Sequence, residues 1–327
     1  MMQLLVESQT GNSSNDPLIV WFNGGPGCSS LGGMFEELGP FYVNSDRKTL
    51  YENIYAWNKY ANVLAIESPI GVGFSYNVDD PTSYTVGDNL TAQQNHDALA
   101  DFFNKVQPRY KNRQWFVAGE SYAGIYIPTV TRNVFQSIVA GSFPNPNFGG
   151  IAIGNGYMNI KILTNSLVLW TNYHGLIGLK HEKQWRDLKQ SCCPGVSDMD
   201  NCDFAANFNY VFMNDTKNND CANKVVAALN LNEDYSDPYD FYQDCYSQNQ
   251  QKQTRAHLQK GLLGMQQKFF QDQSNDKIYY DSSDNQFGYP CDNGDRARAY
   301  FRQPEVLTAF RIDDAWKNAK LNWSGCK

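Results

Sequence analysis

Gly119-Glu120-Ser121-Tyr122-Ala123-Gly124 sets a serine among small neighbours, directly after an apolar run and before a stretch of helical spacing. A serine on a sharp strand-to-helix turn presents its hydroxyl above a sheet, with the positive end of a helix beneath it. That is the posture of an activated nucleophile. The residue two past the serine is Ala123 rather than glycine, a mild departure from G-x-S-x-G. Taken alone, the motif is equally a glycine-rich turn that happens to contain serine.

A second segment changes that balance. Trp21-Phe22-Asn23-Gly24-Gly25-Pro26-Gly27-Cys28-Ser29-Ser30 follows another apolar run. Successive glycines let backbone N–H groups converge on one point, as stabilisation of an oxyanion requires. A nucleophile turn and an oxyanion loop, each closing its own strand, point together to acyl transfer.

A Ser–acid–His mechanism on such a scaffold runs in that order along the chain. Of the four histidines, His96 precedes Ser121, and no Asp or Glu occurs between Ser121 and His174 or His181. Only His257 has the right order, and it lies in a polar stretch where a solvated side chain is the simpler reading.

The elements that must position these residues alternate between β and α patterns. Pro17–Phe22, Ala61–Ile66, Gln114–Ala118 and Ile151–Ile153 read as buried strands, and the stretch through Val6 as a strand already under way. Leu99, Phe102, Phe103 and Val106 recur at helical spacing, and the pattern predicts a helix from Pro128 to Ala140 stopped by Gly141. Strands separated by helices imply a largely parallel sheet covered on both faces. From about Met158 to Leu231 the pattern is mainly helical, while residues 246–290 are rich in Gln, Asp and Asn and read as an exposed excursion open to nicking. A helix over Pro304–Asn318 is expected to return to the core.

Composition bounds the function classes. A chain of 327 residues with 42% apolar and 19% charged residues suits one folded α/β core with an insertion. A net charge of −7 argues against nucleic acid and anionic membrane surfaces, and no apolar run approaches a membrane span. Eight cysteines without paired C-x-x-C spacing favour disulfides over zinc. With acceptor sequons at Asn12, Asn89, Asn214 and Asn322 they point to an oxidising, secretory compartment. Six residues from Met1 to Val6 are too short for a signal peptide, so the N-terminus reads as truncated.

The two motifs, with Glu67-Ser68-Pro69-Ile70-Gly71-Val72-Gly73-Phe74-Ser75-Tyr76, Tyr173-His174-Gly175-Leu176-Ile177-Gly178 and the Cys192-Cys193 pair, resemble the serine carboxypeptidase family over the whole chain. Within it they are nearest the cathepsin A-like lysosomal carboxypeptidases. Phe22 stands where the family usually has leucine. The resemblance implies an α/β-hydrolase fold with a largely parallel central sheet. Its core would comprise residues 1–157 and 292–327, with a mainly helical cap inserted at 158–291.

Carried over by motif, Ser121 is the nucleophile and the N–H groups of Gly25 and Tyr122 form the oxyanion hole. Asn23, the Gly24 N–H, Glu37 and Glu120 bind the substrate's terminal carboxylate. Two carboxyls held close share a proton, and a protonated pair can donate to a carboxylate that an ionised pair would repel. The implied bridges are Cys28–Cys326, Cys192–Cys221, Cys193–Cys202 and Cys245–Cys291; spacing alone leaves 105 pairings open. The first closes nearly the whole chain, worth roughly 5 kcal/mol or more in the entropic description.

The implied activity is release of C-terminal, hydrophobic residues from peptides at acidic pH, in the lysosome or outside the cell, without metal or cofactor. The alternatives are an acyltransferase and a non-catalytic binding or protective partner. In the family the catalytic Asp and His stand on later strands and loops than Lys327. The resemblance therefore implies that the C-terminal part of the core is missing, that this chain alone is inactive and poorly folded, and that a C-terminal fragment supplies both residues. A homodimer is among the assemblies it allows.

Overall fold

The computed structural model describes residues 1–44, 46–175, 182–210, 215–216, 219–229, 245–246, 289–290 and 294–326. They divide into two compact units, one from Met1–Gly156 and Tyr246–Lys327, the other from Tyr157–Cys245. The excursion, His181, His257, Asn214 and the Cys245–Cys291 pair lie outside what is described at side-chain level.

The first unit is built on a five-stranded sheet in the order β1-β5-β2-β6-β7, with β1 Gln3–Val6, β2 Leu18–Phe22, β5 Asn62–Ile66, β6 Trp115–Glu120 and β7 Phe148–Gly154. Four strands run parallel, and β1 alone is antiparallel, on the edge beside β5. Every residue of β5 is buried, as expected of a strand covered on both faces. A separate hairpin pairs β3 Phe41–Val43 with β4 Leu50–Glu52. The far edge, β7, is largely open, and Ile151 is 48% exposed.

Helices α2 Asp88–Asp101 and α3 Ala123–Val139 cover the sheet. The sequence pattern began α3 at Pro128, but the helix starts five residues earlier. Pro128 therefore lies inside the helix, where it lacks the N–H that would donate to the Gly124 carbonyl and leaves one hydrogen bond unmade. Gly141, at φ +70°, ends the helix by donating its N–H to Ile138. The expected helix over 304–318 is two, Pro304–Ala309 and Asp314–Asn318. Arg311 between them takes a left-handed φ of 53°, and the Asp313 side chain caps the second by accepting from the Ala315 N–H. With Gly294–Tyr300 they bring Ala297, Phe301, Val306, Trp316 and Trp323 into one core cluster with Trp21, Met34 and Phe74.

The second unit contains α4 Ile160–Tyr173, α5 Glu182–Cys192 and α6 Asp220–Leu229. Its small core, around Val168, Leu188, Phe204 and Val225, is stapled by Cys192–Cys221 and Cys193–Cys202. No described helix is long and apolar enough to cross a membrane.

Candidate active site

In a parallel sheet every strand delivers its C-terminal end to the same side, where ligands bind. Here Asn23 follows β2, Glu67 follows β5 and Ser121 follows β6, so the sheet itself gathers residues far apart in sequence.

Ser121 sits between β6 and α3 at φ 57°, a left-handed conformation that costs a non-glycine residue roughly 1–3 kcal/mol. The strain is held by neighbours. The Ser121 N–H donates to the Gly154 carbonyl at 3.1 Å, and its own carbonyl accepts from Gly124. A methyl on Gly119 would stand 2.2 Å from the Phe22 carbonyl oxygen and 2.9 Å from the Ala123 methyl. The bare α-carbon of Gly119 therefore makes the space that lets alanine occupy position 123.

The loop after β2 lies against this turn. A methyl on Gly24 would meet the Tyr122 nitrogen at 2.5 Å and the Ser121 Cβ at 2.7 Å. Gly25 and Gly27 adopt φ of +109° and +85°. Among the described residues neither the Gly24 nor the Gly25 N–H has an acceptor. The Tyr126 hydroxyl accepts from the Gly27 N–H at 3.2 Å, and a disulfide joins Cys28 to Cys326.

Beside the serine, Asn23 brings two carboxyls together. Its Oδ1 accepts from the Trp21 indole at 2.7 Å and from the Gly33 N–H at 3.1 Å. Two donors on the oxygen settle which way the amide points. The nitrogen must then face the other way, and it donates to Glu37 Oε1 and Glu120 Oε1, each at 3.1 Å. Glu37 closes a π-helical turn, Gly33–Glu37, that continues α1 Ser30–Gly32. Glu37 keeps access to water, yet its carboxyl is crowded by protein: loss of solvation, then the neighbouring Glu120, push it up to about 8. Burial also raises Glu120, which is hydrogen-bonded to Glu37. The pair therefore retains a proton well above the usual carboxylate range. It can donate to an anion.

Sequence reasoning did not single out Glu67, Trp21 or Tyr126. Glu67 is fully buried, and desolvation lifts it to about 7 against the pull of three hydrogen bonds. The signals for Glu67 were its place directly after the buried strand Asn62–Ile66 and at the head of the Glu67–Tyr76 motif. Because the folded pKa lies above the ordinary 4.5, the stability it contributes is complete below about pH 4.5 and is lost as pH rises through about 7. From about pH 4 to about pH 8, urea unfolding should therefore show wild type losing about 3 kcal/mol more than Glu67→Gln; equal losses would contradict the shift.

A second Ser–His–Asp string lies elsewhere. His96 Nε2 is 2.9 Å from Ser137 Oγ, and His96 Nδ1 is 2.9 Å from Asp97, beside a polar cavity of about 260 Å³. Ser137 is in the last turn of α3, where carbonyls and the negative helix end would oppose an oxyanion. The string joins α2 to α3 and lacks the electrostatics of a nucleophile site. Asn12, Asn89 and Asn322 are exposed.

The family model described as serine carboxypeptidase matches residues 3–327. Serine carboxypeptidase ctsa-3.1 of Caenorhabditis elegans is 43% identical over 359 residues, covering 100% of this chain and 61% of the relative. The lysosomal protective protein of Mus musculus is 42% identical over 226 residues, 69% of this chain and 42% of that protein. The crystal structure of KEX1(Δ)P, a prohormone-processing carboxypeptidase from Saccharomyces cerevisiae, superposes with a TM-score of 0.60 at 23% identity, covering 99% of this chain and 60% of that one, a likeness of fold. The chain thus spans about three fifths of the length of its first curated relatives.

Proposed function

The chain belongs to the serine carboxypeptidase family, and from that premise we propose that the full-length protein removes C-terminal residues, hydrophobic ones in preference, from peptides at acidic pH. The observation that carries this reading is the proton-sharing pair Glu37–Glu120, oriented by Asn23 beside Ser121. A peptidase that cuts at a chain end must recognise a free carboxylate, and a neutral carboxyl pair with the unengaged Gly24 N–H offers that recognition.

In the proposed reaction Ser121 Oγ attacks the last peptide carbonyl and its proton passes to a histidine base. The N–H groups of Gly25 and Tyr122 receive the oxyanion. The amine leaves with that proton, and water then hydrolyses the acyl-enzyme. We assign the Asp and His to chain outside these 327 residues. Among the described residues Ser121 Oγ has no hydrogen-bond partner, and His96 is engaged by Asp97 and Ser137. The open β7 edge is suited to pair with a further strand, and left bare it is an aggregation hazard. In the same reading residues 158–291 form a cap, and the bridges and exposed sequons support a secretory route to the lysosome or the exterior.

The test compares a blocked dipeptide with its C-terminal amide in the full-length protein and in residues 1–327 alone. Full-length protein should hydrolyse the free acid best in acid and lose that preference as the pair gives up its proton, while the shorter chain is inactive. Glu120→Gln should raise KM for the free acid roughly tenfold or more and flatten its pH profile, leaving the amide little changed. An unchanged profile refutes this role of the pair. Transfer of the acyl group to an alcohol in preference to water would make the protein an acyltransferase. A stable, glycosylated full-length product inert to fluorophosphonates would make it a non-catalytic partner.

A further inference from the structure

The oxyanion loop needs its N–H groups held at one point, and glycines by themselves provide no such rigidity. What holds the loop is therefore a separate question from what the loop does. Near Asn23 it is tied through the Asn23 N–H, which donates to Ser30 Oγ at 3.2 Å. Its middle rests on Tyr126, and its far end meets Glu67.

Glu67 stands at the end of β5 with 0% exposure and no cationic partner among the described residues. Its Oε1 accepts from the Ser29 hydroxyl at 2.5 Å and from the Leu31 N–H at 3.0 Å. Its Oε2 accepts from the Phe74 N–H at 3.1 Å. Room for that oxygen exists only because residue 73 is glycine, since a methyl there would fall 1.2 Å from Oε2. The backbone of Glu67 is anchored as well: its N–H donates to the Met2 carbonyl and its carbonyl accepts from Ser75 Oγ at 2.6 Å. One carboxyl thus joins the sheet to the end of the oxyanion loop, to the first turn of the helix leading to Glu37, and to the 70–75 loop. An unpaired carboxyl is costly to bury, and a cheaper apolar residue would fill the space without accepting any of these bonds.

We infer that Glu67 is a positioning residue that fixes the Gly24–Ser29 loop against Ser121 through Ser29 and Leu31. It touches no substrate. Removing its acceptors frees the loop end, and a displacement of about 1 Å at the oxyanion donors is worth about a hundredfold in rate. The kinetic consequence rests on the carboxypeptidase reading; the anchoring does not.

The experiment is made on the full-length protein with Glu67→Leu, Glu67→Gln and Ser29→Ala. Hydrogen exchange of the Gly27, Cys28 and Ser29 amides, bonded respectively to Tyr126, Gly24 and Gly325, reads the anchor without turnover. Exchange should quicken in the order wild type, Gln, Leu, because glutamine keeps one acceptor and leucine none. The β6 amides of Val117 and Ala118 serve as the control and should not change. In the same series kcat, per site titrated with a fluorophosphonate, should fall by about tenfold to a hundredfold for leucine and be partly rescued by glutamine. The loss should be equal on the free acid and the amide, with KM little changed, unlike the acid-specific loss of Glu120→Gln. Native exchange at these three amides in Glu67→Leu overturns the inference. So does quickening that spreads equally to β6, which marks plain destabilisation. If Glu67→Leu does not fold, Ser29→Ala decides: local quickening is expected, and native exchange overturns the anchor. A full-length wild type without hydrolysis or labelling refutes the carboxypeptidase reading, and the exchange result still decides the anchor.

Discussion

Replacing Ser121 with alanine in the full-length protein is expected to lower kcat on a blocked peptide about a millionfold, the size of loss that removal of a nucleophile causes in a serine protease. Ser137→Ala and His96→Ala are expected to leave it within about twofold. The contrast is sharp because Ser137 has a histidine and an aspartate in line while Ser121 has neither among the described residues, and it is the local electrostatics that favour Ser121. Ser121 precedes the N-terminus of α3, with Tyr122 as the residue that opens the helix. Ser137 lies near the other end of the same helix, three residues before its C-cap at Ala140. The dipole that favours an oxyanion at the first disfavours it at the second. Hydrolysis that survived Ser121→Ala and vanished with Ser137→Ala would reverse the assignment. Fluorophosphonate labelling followed by peptide mapping gives the same answer without kinetics.

Gly24→Ala is expected to cost about a hundredfold to a thousandfold in kcat, because it forces apart the proposed oxyanion donors Gly25 and Tyr122, and about 1–3 kcal/mol of stability as overpacking. The added methyl would lie 2.5 Å from the Tyr122 nitrogen, 2.7 Å from Ser121 Cβ and 2.8 Å from the Glu120 carbonyl oxygen. Two of those three atoms are backbone and cannot swing aside, so the loop and the nucleophile turn must part. Gly32→Ala is the control. Gly32 is helical at φ −54°, with nothing within 4 Å of an added methyl. Alanine there should be neutral or stabilise by roughly 0.5–1 kcal/mol. Equal kcat in both variants would mean that the loop and the turn are not in contact during turnover.

Much of the half proposed for acyl transfer was readable because it is local. The positive φ of Ser121 and of Gly25 and Gly27 needs small residues beside a strand end, and that requirement leaves a short, dense mark in the chain. The half proposed to bind a carboxylate was readable only through resemblance. Glu37 and Glu120 carry no local sign of their partnership, since a glutamate in a helical turn and another before a serine are each ordinary. The length of α3 was misread for a related reason. A proline at 128 usually marks a helix start, but here it sits in the interior of a helix that begins at Ala123.

The strands of the main sheet, the nucleophile turn and the glycine loop were legible along the chain, because each depends on side-chain size and periodicity within a few residues, whereas the β3–β4 hairpin was not. The chemistry those segments can offer was legible for the same reason. Which groups meet depends on the packed fold. The parallel register of β5, β2 and β6 carries Glu67, Asn23 and Ser121 to one edge of the sheet. The indole of Trp21 and the N–H of Gly33 orient the Asn23 amide, and that orientation turns two unremarkable glutamates into a pair sharing a proton. Burial then sets the protonation of Glu37, Glu120 and Glu67, and burial is a property of packed neighbours that no spacing along the chain encodes.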